Sequence, residues 1–271
     1  MITMIVHRCR RTAGLVALVL MTVLVTVHSA SGQITVTGAM HVERAAVPGE
    51  TYQGAITIRN TTNTVQVATL SLADYRFAAS GTSSFDAPGS HPRSSTSWIT
   101  LSQNAVSVPP MGTQVVGYTV SVPAGTSPTL GSYWSVVLVE GEDRKAVPAD
   151  PRKFTVTPKM RYAVQVVTHL GQTGECQLAF GDPLVKPGAM VVDITGSGTR
   201  ACRPALKLEV YNAEGALKQT ATLRGSYLYP ATSVRQTFDL QALTPGAYNF
   251  VLLADVGVDK LQGVRFQVQV R

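Results

Sequence analysis

The strongest constraint on the fold is a long alternating segment, residues 153–168. Phe154, Val156, Met160, Tyr162 and Val164 share one parity, and polar or charged side chains fill most of the other. This two-residue period is typical of a half-buried β-strand. Pro158 lies inside the segment, and proline is tolerated mainly on edge strands or at bulges because it has no N–H to donate. The segment therefore predicts a kinked strand at a sheet edge, which must be covered or serve as a docking site for another strand.

The N-terminal segment, residues 1–32, has the three parts of a signal peptide. A basic stretch at 7–11 precedes an apolar run at 13–27 and the small residues Ala30, Ser31 and Gly32. We predict cleavage before Gln33, which places the mature protein in the periplasm, in the medium or at the cell surface with no stable membrane span.

The charge of the mature chain gives little support for a nucleic-acid partner. Removal of Arg8, Arg10 and Arg11 lowers Lys+Arg from 23 to 20 against 16 acidic residues, which leaves a net charge of +4. The cations are scattered, without the dense basic and aromatic interleaving that follows a nucleic-acid strand. We expect no nucleic-acid partner.

The mature chain is predicted to be all-β, with two tandem immunoglobulin-like β-sandwiches at 33–168 and 169–271. Short alternating runs are separated by turn residues at the spacing of such sandwiches. The predicted strands are 34–42, 51–60, 65–76, 98–101, 113–122, 131–140, 153–167, 176–180, 190–195, 205–211, 217–224, 234–240, 248–254 and 263–270. Residues 80–97, rich in Ser, Gly and Pro, are predicted to be a mobile solvated loop. Tyr248 is either a tyrosine corner or an ordinary core tyrosine.

Two cysteines, Cys176 and Cys202, remain after cleavage. An even number in an oxidising compartment predicts a disulfide, and the alternative, a metal site shared with His169, matches no zinc spacing. We expect neither metal nor cofactor. The sequence lacks the common nucleophile, zinc and phosphate-binding motifs, and we predict that the protein is not an enzyme, although catalytic triads assemble in space and sequence alone does not exclude one.

Several short motifs in the first sandwich share their spacing with a known family. Arg44 is followed by an apolar step to Gly49 and a strand that ends in Asn60. Pro109 and Pro123 flank a strand before Tyr133-Trp134, and Lys159-Met160-Arg161-Tyr162 closes the region. Together these features resemble the periplasmic pilus-assembly chaperones, the PapD-like family, over about residues 34–167.

The resemblance implies a client-binding site. In that family, one cation on the first strand and one on the last hold the C-terminal carboxylate of a pilus subunit between two domains. Those positions fall on Arg44 and Arg161, where the second is arginine instead of lysine, and the residues that would complete the subunit's missing strand fall on Phe154 and Val156. The expected partner is a pilin-like subunit, and Arg44 and Arg161 should lie within a few ångströms of one another.

The alternative is a structural or adhesive envelope protein. Only two apolar residues precede Pro158, where the family commonly presents three or more, and the family's charged segment before the aromatic pair is replaced by residues 125–131. Sandwich folds host many unrelated functions. In this interpretation the two arginines are ordinary surface cations and the partner is an envelope component. An uncovered edge also allows a homodimer.

Overall fold

A computed structural model describes residues 33–125, 130–141, 160–241, 243–257 and 260–270. The described residues lie in one compact unit, Gly32–Arg271. Apart from one turn of 3-10 helix at Thr96–Trp98, every described element is a β-strand. No helix among these residues is long and apolar enough to cross a membrane.

The first sandwich contains ten strands. In chain order they are β1 (Ile34–Thr37), β2 (His41–Ala46), β3 (Thr51–Asn60), β4 (Gln66–Phe77), β5 (Ser83–Asp86), β6 (Ile99–Leu101), β7 (Ala105–Val108), β8 (Thr113–Ser121), β9 (Ser132–Gly141) and β10 (Arg161–Leu170). One sheet has the order β1-β3-β8-β6, and the other has the order β2-β10-β9-β4-β5 with β7 also paired to β4. Every pairing is antiparallel except that of β2 with β10, which is parallel.

The second sandwich contains eight strands. They are β11 (Leu178–Phe180), β12 (Leu184–Lys186), β13 (Ala189–Gly196), β14 (Ala205–Asn212), β15 (Leu217–Arg224), β16 (Ser233–Asp239), β17 (Gly246–Asp255) and β18 (Leu261–Val270). In one sheet β13 pairs with β11, β12 and β16, and the other has the order β15-β14-β17-β18. The predicted all-β, two-sandwich fold is therefore confirmed. β10 ends at Leu170, two residues beyond the predicted boundary between the sandwiches.

Each sandwich has its own apolar core because alternate side chains of its strands point inward. Ile58, Val108, Val137 and Val166 are among the most buried residues of the first core, and Met190, Leu208, Phe250 and Leu252 of the second. Burying such side chains is the main source of stability in a sandwich.

The strand predicted at 34–42 is two strands in different sheets. β1 pairs with β3, whereas β2 begins four residues later and pairs with β10. Gly38 lies between them with a φ of +97°, a conformation that glycine adopts without steric cost. The chain can therefore leave one sheet and enter the other within three residues.

The prediction of a mobile, solvated loop at 80–97 is only partly correct, because most of 80–90 is exposed but the segment is not a loop throughout. The segment contains β5 and enters the 3-10 turn, and His91, Ser95 and Thr96 are buried. The carboxylate of Asp74, which is fully buried, accepts hydrogen bonds from Ser94 Oγ at 2.6 Å, Ser90 Oγ at 3.2 Å and the His91 N–H at 3.3 Å. These bonds compensate for the low apolar content of the segment.

Other local predictions have mixed outcomes. The strands at Thr51–Asn60 and Leu217–Arg224 have the predicted bounds, whereas the short strands β5, β7 and β12 were not predicted. The Tyr248 hydroxyl donates to the Thr244 carbonyl at 3.0 Å, which confirms the tyrosine corner. Residues 1–32, which contain the predicted signal peptide, lie outside the described residues.

Candidate functional site

One edge of β10 is only partly paired. On one side, β9 pairs with β10 from Arg161 to His169. On the other side, β2 pairs only with Gln165–Leu170. Among the described strands, none pairs with 161–164 on that second side. This stretch, which we call the open edge, lies within the segment 153–168 that was predicted to be an edge strand.

The direction of each backbone group at the open edge follows from three hydrogen bonds. The Gln165 N–H donates to the Met40 carbonyl at 2.8 Å and the Gly171 N–H to the Ala46 carbonyl at 2.9 Å, whereas the Leu170 N–H donates to the Gly131 carbonyl beside β9. Because successive residues of a strand direct their backbone groups to alternate sides, Arg161 and Ala163 present their N–H and C=O groups to the open edge. No described strand uses these groups.

The apolar side chains beside the open edge belong to the first core. Tyr162 and Met40 are partly buried against that core, and Val164 is buried within it. An added strand with alternating apolar residues would meet these side chains, because alternate side chains of paired strands lie on the same face.

Arg44 lies beside Thr168, near the C-terminal end of β10. Its guanidinium group stands 4.9 Å from the centre of the Tyr52 ring, and its Nη2 is 3.5 Å from Glu50 Oε1. The Tyr52 hydroxyl in turn bonds to Thr168 Oγ1 at 2.7 Å. About half of the Arg44 side chain is exposed, so it is held by its own chain but not enclosed.

Arg161 lies at the other end of β10, where it forms an ion pair with Glu140 of β9. Seven residues separate it from Thr168, which at about 3.3 Å per residue is about 23 Å. Position 161 also has the opposite parity to position 168, so Arg44 and Arg161 lie on opposite faces of the sheet. The structure therefore does not bring the two arginines together, and the predicted clamp on a single carboxylate is wrong in its geometry.

Phe154 and Val156, the other predicted client-binding residues, lie outside the described residues. So do Pro158 and Lys159, and with them the predicted kink. Their role in binding a client strand stays a prediction.

An aromatic cluster joins the two sandwiches. The Trp134 indole on β9 stacks on Tyr229 of the second sandwich, with ring centres 4.7 Å apart and planes 10° apart. Val167 and Ala201 complete its buried part, and the Tyr229 hydroxyl donates to Gln165 Oε1. The aromatic residues were visible in the sequence, but nothing in their spacing shows that they meet across two domains.

A polar group beside this cluster has the residue types of a catalytic triad. The Ser132 hydroxyl lies 2.7 Å from His169 Nδ1, and His169 Nε2 lies 3.2 Å from Glu43 Oε2. However, Ser132 is fully buried and its oxygen accepts the Ala201 N–H at 2.9 Å. A nucleophile must reach a substrate, so this arrangement is a structural connection.

The environment of this polar group shifts three pKa values. Burial lowers the pKa of His169, and the bond to Glu43 only partly opposes it. Burial raises the pKa of Glu43, but hydrogen bonds from Tyr227 and His169 outweigh it and the net shift is downward. Burial and then the bond to Glu43 raise the pKa of Tyr227, so its hydroxyl stays a donor.

The predicted disulfide between Cys176 and Cys202 is present, with the two Cα atoms 5.9 Å apart. Both sulfurs are therefore used, and His169 bonds instead to Ser132 and Glu43. Within the described ranges, no group of three His, Cys, Asp or Glu residues could hold a metal ion.

Comparisons with known proteins identify similar folds only. No protein-family model matches the chain, and no curated protein matches it. Similar solved structures include the class 5 fimbriae chaperone CfaA, with 10% identity, a TM-score of 0.48, and coverage of 88% of this chain and 99% of that one. A chain of the CsuC–CsuE chaperone–tip adhesion subunit complex of Acinetobacter baumannii has 13% identity, a TM-score of 0.45, and coverage of 86% and 97%.

Not every similar structure is a fimbrial chaperone. A PapD-like domain of human CEP192 is also similar, with 17% identity, a TM-score of 0.35, and coverage of 62% of this chain and 96% of that one. At these identities and TM-scores the likeness concerns the general fold and does not extend to the residues of a site.

Proposed function

We propose that this protein is a non-enzymatic, chaperone-like protein of the cell envelope that binds an extended segment of a protein subunit along the open edge of β10. The observation that carries the proposal is that Arg161 and Ala163 direct backbone donors and acceptors to a side on which no described strand pairs with them. Backbone pairing of this kind is an established mode of peptide recognition, with alternate side-chain contacts giving specificity.

The resemblance of residues 34–167 to the PapD-like chaperones supports a pilin-like subunit as the partner. The resemblance no longer supports a clamp made by two arginines, since Arg44 and Arg161 lie on opposite faces of the sheet. We therefore propose a client contact for each arginine separately. Arg44 lies on β2 three residues beyond His41, where β2 begins to pair with β10, and Arg161 lies on the open edge itself. Single substitutions of the two arginines therefore test two separate positions on the first sandwich.

The proposal is tested by a proline at Ala163. Ala163→Pro removes a backbone N–H that faces the open edge, whereas bonds to β9 use the neighbouring residues, so the fold should persist. Ala163→Ser is the matched control because it retains the N–H. Wild type, both variants, Arg44→Ala and Arg161→Ala are used to capture proteins from the native envelope, and bound proteins are identified by mass spectrometry.

We expect wild type and Ala163→Ser to retain the same small subunit and Ala163→Pro to lose it. Equal capture by all forms, or retention of one wall component by the proline variant, would favour the second candidate, a structural or adhesive envelope protein. That candidate is favoured by one observation, which is that Arg44 and Arg161 already pair with Glu50 and Glu140 of their own chain.

A further inference from the structure

A chain of hydrogen bonds passes from the second sandwich into the first and back again. The Ala201 N–H donates to Ser132 Oγ at 2.9 Å, and Ser132 Oγ lies 2.7 Å from His169 Nδ1. His169 Nε2 lies 3.2 Å from Glu43 Oε2, which also accepts the Tyr227 hydroxyl at 2.7 Å. Ala201 and Tyr227 belong to the second sandwich, so both ends of the chain cross the boundary.

One distribution of protons satisfies every group in this chain. An ionised carboxylate only accepts, so His169 Nε2 must carry a hydrogen that it donates to Glu43. Neutral His169 then has a bare Nδ1, which accepts the Ser132 hydroxyl hydrogen. The Ser132 oxygen is left to accept the Ala201 N–H. All four bonds are therefore made when His169 is neutral.

Protonation of His169 breaks this arrangement at Ser132. A charged imidazole has a hydrogen on both nitrogens, so Nδ1–H would point at the hydroxyl that had been donating to it. Ser132 is fully buried, and the hydrogen bonds of the described residues offer its hydroxyl hydrogen no other acceptor. A buried donor without an acceptor is unfavourable, and the affected hydroxyl is the group that connects His169 to the Ala201 N–H.

The groups that face His169 come from both sandwiches. β2 contributes Glu43 and His41, and the second sandwich contributes Arg200 and Tyr227. Arg200 disfavours a second positive charge, and its Nη1 is held by the carbonyls of Gly171 and Thr173 at 3.1 and 2.9 Å. Glu43 favours the charge, but about half of its side chain is exposed, so solvent weakens that attraction.

We propose that His169 is a proton-sensitive latch, which joins the two sandwiches through Ser132 and Ala201 when it is neutral and destabilises that connection when it is protonated. The latch is independent of the proposed function, since it concerns the boundary between sandwiches and not the open edge of β10.

The direction of the pH effect follows from proton linkage. In the joined state the pKa of His169 is below its ordinary value of 6.5, so the joined state binds fewer protons than the loosened state. The joined state is therefore favoured above pH 6.5 and becomes less stable as the pH falls below that value. Glu43 affects the pH dependence only below its own ordinary pKa of 4.5. A change in the stability of the joined state between pH 4.5 and pH 6.5 is therefore due to a histidine.

The test combines NMR with small-angle X-ray scattering on the whole protein between about pH 7.5 and about pH 5. In wild type, the Ala201 amide resonance should shift with the same midpoint as the His169 ring, below pH 6.5, and the radius of gyration should rise across that step. His169→Asn retains an acceptor for Ser132 but does not titrate, so both changes should disappear. His41→Asn, which removes the neighbouring histidine, should leave them in place.

Two results would overturn the latch. One is an Ala201 resonance that does not follow the His169 titration in wild type, a measurement that needs no variant to fold. The other is a pH-dependent change of the same size in His169→Asn, which would assign it to another group such as His91, whose ring stacks on Trp134.

Discussion

Trp134 of the first sandwich and Tyr229 of the second stack with their ring planes 10° apart and their centres 4.7 Å apart. Both side chains are almost fully buried. Each ring also carries one polar group, and both groups bond within the first sandwich. Trp134 Nε1 donates to the Tyr75 carbonyl at 2.8 Å, and the Tyr229 hydroxyl donates to Gln165 Oε1. A stacked aromatic pair stabilises a fold by more than its buried area alone would give, and this pair holds the two sandwiches together.

Tyr229→Ala should lower the free energy of unfolding by about 3 to 5 kcal/mol, as removal of a large buried ring does. Tyr229→Phe retains the ring and loses only the bond to Gln165, so its cost should be about 1 kcal/mol. Urea unfolding followed by Trp134 fluorescence, in a Trp98→Phe background, measures both. Equal losses for the two variants would show that the hydroxyl, and not the stacked ring, joins the sandwiches.

Gly131→Ala should weaken the same boundary for a steric reason. A methyl group on Gly131 would stand 2.0 Å from the Thr199 carbonyl oxygen, which receives the Ser132 N–H. The matched control is Gly125→Ala, because Gly125 has a similar φ, +99° against +105°, and its added methyl would meet no described atom within 4 Å. In both variants the alanine must adopt a left-handed backbone conformation, which costs about 1 to 2 kcal/mol.

The difference in stability between the Gly131 and Gly125 variants measures the effect of the close approach of position 131 to the Thr199 carbonyl. We expect Gly131→Ala to lose a further 1 to 3 kcal/mol, roughly the cost of overpacking, in thermal unfolding. The same melting temperature for both variants would contradict the close packing at Thr199.

Asp74→Ala should free the segment that follows β5. It removes three hydrogen bonds to a buried carboxylate, each of a kind that contributes about 1.5 to 3 kcal/mol. Limited proteolysis should then cut within residues 87–97, where wild type resists. Asp86→Ala, which removes a partly exposed acceptor of Arg76 and Ser84 but no bond to residues 87–97, should leave the protease resistance almost unchanged. If both variants are cut equally, Asp74 does not anchor the segment.

Reduction of the disulfide should destabilise the second sandwich. Cys176 and Cys202 are 26 residues apart, and closing a loop of this length contributes about 3 to 4 kcal/mol. Wild type with reductant should unfold at lower urea concentration than without it, whereas Cys176→Ser/Cys202→Ser should unfold identically in both. A wild-type curve that reductant does not move would argue against the bridge in solution.

The sequence is most informative where a local pattern decides the structure. The two-residue period located most strands of both sandwiches, and the tyrosine corner at Tyr248 was one of the two alternatives that the sequence left open. The failures are of another kind. The segment 80–97 has a loop-like composition, but it is ordered by Asp74, which comes from a different strand.

The site was harder to predict than the fold because it depends on register. The parallel pairing of β2 with β10 decides that Arg44 lies beside Thr168 and on the opposite face from Arg161, and a shift of one residue would reverse that face. No local signal in the sequence fixes this register. The chain from Ala201 to Tyr227 is likewise assembled from residues that are distant in sequence.

The most direct test of strand binding at the open edge is the exchange of individual amide hydrogens in residues 161–164 of β10, measured by NMR. In the free protein, Tyr162 and Val164 should exchange slowly because they face β9, and Arg161 and Ala163 should exchange rapidly because they face the open edge. When the captured subunit is added, Arg161 and Ala163 should become protected while their neighbours change little. Rapid exchange of Arg161 and Ala163 in the presence of the bound subunit would contradict strand addition at this edge.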